Sequence, residues 1–431
     1  MCTAIKSVHY WVKAVISTCF KCRLEPTKNR DMKKVNDYLL FTPGPVNVAD
    51  NVRIAITKKD ICHREIDFDA LLKRTELKLL SLFEIRNKPE YRAVVITGSG
   101  TAANESILSS VVGDKNILII SNGEFGERLF NLSKIYNRNT SLLDFAWGER
   151  LDFKKIGNHL SSNCIDIVMM VHHETSSGML NSLEDMGKLS KAYGILFIAD
   201  CVSSAGAEKI DMEKYHIGFC SSSSSKAICS YPGLSFVVGR VEEFEKLKYL
   251  PIKSGYLNLY KLYHFIKMVS QTPHTPAVPL FYALEQALDN ILDKGIAHHH
   301  TEIQDKAEFL RNGMAILGLK FMLDKQNMSS VLTTVYCPFY LTIPNLRKAL
   351  HEKMIIIYEG KGCFKNKVFQ VGNIGKLSFN DLQFFLNTVK VILQKHKQTR
   401  RKTKPLINAY PRLLDAIKAP INHKSLPVVV A

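Results

Sequence analysis

The chain has 431 residues, 46% of them hydrophobic and 23% charged, and a formal net charge of +18. Such a length and balance suit one large globular core with a smaller second domain, and exclude a collagenous or wholly disordered chain. Its longest mostly apolar stretches, Ile165–Val171 (interrupted by Asp166) and Ile195–Ala199, are too short for a membrane-spanning helix.

Residues 1–37 form a basic leader. Its first 24 residues contain no acid and bring Val8, Trp11, Val12, Val15, Ile16 and Cys19 near one helical face. That pattern fits a mitochondrial targeting peptide, a surface-seeking helix or an unstructured leader. From Ala93 to Gly239, short apolar runs alternate with amphipathic stretches. Strands are expected at Ala93–Thr97, Asn116–Ser121, Ile165–Val171, Ile195–Ala199, Ile217–Ser221 and Leu234–Gly239, with helices at Ala102–Val112, Phe125–Tyr136 and Leu183–Tyr193. Continuously apolar strands interleaved with helices predict a mostly parallel sheet covered on both faces, an α/β core over residues 38–300. A smaller α+β domain over residues 301–395 follows. Its expected elements include strands at Val331–Tyr336, Met354–Tyr358 and Val368–Val371, and helices around Leu346–Glu352 and over Asp381–Leu393. Residues 396–431 form a basic tail.

The charge sits at the ends: residues 1–30 carry a net +5, residues 390–431 a net +9, and everything between only +4. Nucleic-acid binding is therefore a reading for the tails alone; a solvated extension is the expectation there, and nucleic acid is not an expected partner. Among ten cysteines only Cys19 and Cys22 make a C-x-x-C pair. No second pair completes a metal site, and His298-His299-His300 reads as an exposed helical run, so no metal is expected. Reduced thiols and a cytoplasmic setting are expected instead.

Three sites carry chemistry. Thr97-Gly98-Ser99-Gly100-Thr101 follows a strand and opens a helix, where free backbone N–H groups bind phosphate, although small residues also suit a tight structural turn. Asp200 ends a strand, a position that fits pairing with a protonated ring nitrogen as well as plain turn formation. Lys226 follows the run Ser221–Ser225 directly after a buried strand; it is either an amine nucleophile beside phosphate-binding hydroxyls or a surface lysine.

In this order, the three sites resemble those of fold-type I enzymes that use pyridoxal 5'-phosphate (PLP). The sequence is similar to the class V aminotransferases, and most to their 2-aminoethylphosphonate–pyruvate transaminase branch. The likeness runs through Phe41–Asn47, Asp60–Glu65, the Gly98–Glu105 loop, Ser121–Arg128, His172–Asn181, Asp200–Ser204, Lys226–Ile228, Pro232–Val237 and Gly372–Gly375. It implies a large domain with a seven-stranded-type sheet, a smaller C-terminal domain, and Lys226 as the lysine that bonds the cofactor. Ser99, Gly100 and Thr101 would hold its phosphate, Phe125 and Val202 would pack on its ring, and Asp200 would face the ring nitrogen. Thr175 and Ser225 would lie beside it, and Gly44 and Pro45 at the substrate entrance. Thr275 would reach the phosphate of a second subunit, implying a homodimer with shared active sites. The implied reaction moves an amino group from 2-aminoethylphosphonate to pyruvate. An alanine–glyoxylate or serine–pyruvate type, or a PLP fold without turnover, is the alternative. Two positions depart from the pattern. Ser225 replaces an amide residue, and Gln370 stands where the branch has an arginine that grips a carboxylate. Arg64, Lys361 and Lys365 are the cations available to compensate.

Overall fold

The structure, a computed structural model, describes residues 38–111 and 113–402. The basic leader, with its targeting reading, and the tail beyond 402 lie outside the described residues. Eleven strands of three or more residues carry the architecture. These are β1 (Leu39–Phe41), β2 (Tyr91–Thr97), β3 (Ile117–Ser121), β4 (Thr140–Asp144), β5 (Ile167–Val171), β6 (Leu196–Asp200), β7 (Ile217–Ser223), β8 (Leu234–Arg240), β9 (Leu332–Tyr336), β10 (Ile355–Glu359) and β11 (Val368–Gly372).

Seven of them form one sheet in the order β2-β8-β7-β6-β5-β3-β4. Neighbours pair in parallel except β8, which runs antiparallel to both β2 and β7. Every residue of β3, β5 and β7 is buried, as expected where helices cover both faces. β4 was not expected; it is a half-exposed edge strand whose Thr-Ser-Leu-Leu-Asp sequence lacks a long apolar run. Also unforeseen was the helix Ile66–Leu82, which buries Phe68, Leu71, Leu72, Leu79 and Leu80.

The direction of these strands matters more than their number. Thr97, Ser121, Val171, Asp200 and Ser223 all end their strands on the same edge, the carboxyl edge where open α/β sheets bind ligands. The loops at 98–101, 122–126, 172–177, 201–204 and 224–226 therefore converge.

A second sheet, in the order β1-β10-β11-β9, is mixed. Its first strand comes from the start of the described chain: Leu39–Phe41 pairs in parallel with Ile355–Ile357. Phe41 stacks on Phe385 of the last helix, centroids 4.6 Å apart. This sheet has its own apolar core, including Leu310, Met314, Val335, Phe369 and Leu382. Among the described residues, no helix is long and apolar enough to cross a membrane.

Candidate active site

The loop after β2 is built as a phosphate cradle requires. Ser99 caps the helix Gly100–Ser110 without closing its own side chain onto it, and no acid lies in the first turn. The first amides and the positive end of the helix dipole are thus left for an external anion. Ser99 and Thr101 are exposed there. Gly100 is buried against Val202; a Cβ at this position would lie 2.6 Å from Val202 Cγ1. Close backbone packing fixes the loop on the residue expected beneath the cofactor ring.

Asp200 is 5% exposed. Its Oδ1 accepts from Val202 N at 2.9 Å and its Oδ2 from Asn104 Nδ2 at 2.7 Å. Asn104 belongs to the helix of the phosphate loop and in turn accepts from Ser221 Oγ. Acid, phosphate helix and serine strand are therefore one hydrogen-bonded unit. Both readings of Asp200 meet here: it forms the turn to Val202 and still presents a buried carboxylate at the sheet edge. Burial pushes its pKa up, against the pull of the Val202 and Asn104 hydrogen bonds and of the Arg128 and Lys226 charges.

Lys226 Nζ donates to Gly44 O at 3.3 Å. Burial, followed by the positive charge of Lys361, lowers its pKa to about 8, with Asp200 pulling the other way. A nucleophilic amine needs this shift toward the neutral form. Most of the serine hydroxyls before it serve the fold rather than a ligand. Ser222 bonds Cys201 O, Ser224 bonds Tyr231 O and Leu234 O, and Ser223 alone keeps a buried unpaired Oγ.

Gly44 closes the opposite wall. Its φ is +131°, and a Cβ would lie 2.4 Å from Lys226 Cδ and 2.9 Å from Ser225 O. Its carbonyl also accepts from Tyr358 Oη at 3.3 Å, a contact the sequence did not suggest. Pro45 is exposed next to it. Gly44→Ala is expected to destabilise the fold by about 1–3 kcal/mol through backbone strain alone and to push Lys226 aside. Urea unfolding measures the first effect, and the rate of covalent PLP attachment measures the second.

Phe125 is the second residue of the helix Glu124–Tyr136, whose first amide donates to Ser176 Oγ and whose next two end on Glu174. The Glu174 carboxylate, fully buried, accepts from Phe125 N and Gly126 N at 3.1 Å each and from Ser176 N at 3.0 Å. One side chain so fixes both Phe125 and the Thr175–Ser176 loop, and nothing in the local sequence signals it. Burial raises its pKa, while the hydrogen bonds from Ser176, Gly126 and Phe125 oppose the shift.

Gln370 is 2% exposed, and its Nε2 donates to Thr175 O at 2.7 Å, Ser176 O at 3.2 Å and Thr334 Oγ1 at 3.2 Å. Its amide N–H groups are already engaged with the protein and buttress the Thr175 loop. Arg64 is engaged too, on Thr272 O at 2.7 Å. Thr275 is exposed on the segment that Arg64 holds, and Ala277 N of that segment reaches Thr97 Oγ1 at 3.3 Å. His172 and His173 are buried and neutral, their pKa values lowered by burial to about 3 and about 4. They bond Ser204 Oγ and, for His173, Ser203 O and Ser329 Oγ.

The aminotransferase class-V family pattern matches residues 55–381, most of the chain. This protein is a class V aminotransferase.

Among its relatives, an uncharacterized aminotransferase of Methanocaldococcus jannaschii is 32% identical over 83% of this chain and 92% of its own length. A 2-aminoethylphosphonate–pyruvate transaminase of Phocaeicola vulgatus is 30% identical over 82% of this chain and 99% of its own. An alanine–glyoxylate aminotransferase from Nostoc sp. superposes with a TM-score of 0.79 at 26% identity, covering 86% of this chain and 97% of that one. As a class V aminotransferase the chain has the fold-type I architecture, and it transfers an amino group from an amine donor to a keto-acid acceptor. PLP is the cofactor on which the family depends. The residues present fit that group: an open helix N-terminus, a buried carboxylate and a low-pKa lysine lie at one edge of the sheet, and the buried Ser223 Oγ at the end of β7 has no partner.

Proposed function

We propose that this aminotransferase binds PLP on Lys226 and moves the amino group of 2-aminoethylphosphonate to pyruvate, yielding phosphonoacetaldehyde and L-alanine. The observation that carries the reading is the near-complete alignment with a transaminase named for that reaction. The conjunction of Lys226, Asp200 and the Ser99–Thr101 helix end on one sheet edge supports it. Bound there, PLP supplies an aldehyde that takes up a primary amine and a ring that draws electrons from the amine-bearing carbon.

The chain's own residues supply the rest. Ser99, Gly100 and Thr101 bind the phosphate through amides and hydroxyls. Asp200, held by Asn104 and Val202, would hold the ring at its nitrogen and favour the protonated form. Phe125 and Val202 enclose the ring, and Thr175 and Ser225 border it. Lys226 Nζ, oriented by Gly44 O, bonds the cofactor at rest. Freed from that bond, it would hold and move the proton that leaves the amine-bearing carbon. Gly44 and Pro45 form the entrance, and Gln370 sets the Thr175 wall from behind. Thr275, exposed in one chain, reaches the phosphate site of a second copy, so the working unit is a homodimer. The reaction takes place in the cytoplasm, a setting that the seven free cysteines among the described residues suit.

Mixing PLP-loaded protein with 2-aminoethylphosphonate in a single turnover should bleach the cofactor's visible band, and pyruvate should restore it. An alanine–glyoxylate activity is the second reading, favoured by the likeness to the Nostoc enzyme. A band untouched by the phosphonate, bleached by alanine and restored by glyoxylate would establish that activity and reject ours.

A further inference from the structure

With the Gln370 amide spent on carbonyls, the site lacks the cation that the branch places on that strand. The neighbouring strand supplies one. Gln370 pairs across the small sheet with Tyr358, and the chain turns three residues later at Lys361. Lys361 Nζ lies 5.0 Å from the ring centroid of Phe125 and 3.3 Å from Glu124 Oε1. Arg128 reaches the same two groups from the other domain: its Cζ lies 4.7 Å from that centroid and its Nη2 3.0 Å from the same Glu124 oxygen. Both side chains remain 42–47% exposed and accessible to a solute. The loop that carries Lys361 is seated by Phe364, which packs edge-on against Trp147 at 5.9 Å. Trp147 in turn bonds Glu127 on the helix of Arg128.

We propose that Arg128 and Lys361, gathered on Phe125 by Glu124, recognise the acidic end of the substrates: the phosphonate of the donor and the carboxylate of the acceptor. The inference rests on the amino-transfer reading above, because it takes the cleft between Lys226 and Phe125 as the substrate site. Two cations sharing one carboxylate oxygen leave one positive charge uncompensated, and a phosphonate carrying up to two negative charges is the better counterpart. Arg128 offers a planar fork and Lys361 a mobile point charge, so one pair can serve acids of different shape in the two half-reactions. The pair also lies near enough to Lys226 for both charges to depress its basicity. Substrate acid bound there would relieve that effect and raise the basicity of Lys226 as the proton is to be moved.

The test uses PLP-loaded full chain titrated with methylphosphonate and, separately, acetate, following the cofactor's absorption, alongside turnover of 2-aminoethylphosphonate with pyruvate. Lys361→Met and Arg128→Gln should each weaken methylphosphonate about ten- to a hundredfold, the loss expected for a hydrogen bond to a charged group. KM for the donor should rise more than kcat falls. The limb of the pH profile that reports Lys226 should move to higher pH, since a lost neighbouring cation lets the amine hold its proton longer. Lys361→Arg should recover most of the binding. Variants that bind methylphosphonate as tightly as the parent, or a Lys361→Arg no better than Lys361→Met, would overturn the proposal while leaving the reaction assignment intact. A parent protein that fails to turn over 2-aminoethylphosphonate, yet loses methylphosphonate binding in both variants, would instead reject the donor and leave the cation pair standing.

Discussion

Lys226→Ala is expected to lower turnover by at least about 10^4-fold, because it removes both the group that bonds the cofactor and the base that moves the proton. Lys226→Arg should be nearly as inactive although it keeps the charge and much of the length. A guanidinium stays protonated at any working pH and cannot attack an aldehyde. The environment that makes the lysine useful is measurable apart from turnover. Burial and Lys361 lower its pKa to about 8, so the rate at which PLP attaches to the cofactor-free protein should climb with pH and reach half its plateau near 8. The sign follows from the neutral amine being the nucleophile: below that pH it carries a proton and cannot attack. An attachment rate still rising steeply at pH 10 would mean that Lys226 behaves as an ordinary surface lysine. Burial would then not desolvate its amine. Single-turnover absorbance with the Ala and Arg variants checks the first expectation, and a pH series on the stripped parent checks the second.

Much of this site is legible in the sequence because the large sheet is buried on both faces. Strands such as Leu196–Asp200 and Ile217–Ser223 present unbroken apolar or small residues up to their ends, so their carboxyl ends, and therefore Asp200 and Lys226, can be located by inspection. The edge strand Thr140–Asp144 escapes that reading since its mixed sequence answers to one face of solvent. Leu39–Phe41 reads as the entry to the large domain yet pairs in the small sheet, a long-range pairing that local pattern cannot encode. The serine run is a weaker pointer to a phosphate site than its sequence suggests: three of its hydroxyls bond the protein itself. Gln370 shows the opposite case. Its identity announces a missing charge, but only the fold shows that its amide faces the Thr175 and Ser176 carbonyls. Arg128 and Lys361 lie 233 positions apart and meet only because the fold brings a helix and a loop onto one aromatic ring.

Glu174 is the residue whose structural cost should most exceed what its sequence position suggests. Glu174→Leu removes a buried acceptor from three backbone N–H groups, of Phe125, Gly126 and Ser176, and from the Ser176 hydroxyl. Leaving buried donors without a partner costs about 1–3 kcal/mol each, and several are stranded at once. A loss of about 4 kcal/mol in unfolding free energy is expected, read as a fall in the urea midpoint at unchanged slope. Glu174→Gln should cost about half as much, because its single amide oxygen still accepts but no longer carries charge to the positive helix end. The functional consequence should outlast the stability loss. Even where the Gln variant is folded, the anchor shared by Phe125 and the Thr175–Ser176 loop is weakened, so PLP affinity should fall while the pKa of Lys226, set by burial and by Lys361, stays near its parent value. Such a split would place Glu174 as the brace of the cofactor's ring rather than as a participant in proton transfer. If Glu174→Leu instead unfolds at the parental urea concentration, the helix Glu124–Tyr136 does not depend on this carboxylate, and Phe125 must be held by its side-chain packing alone.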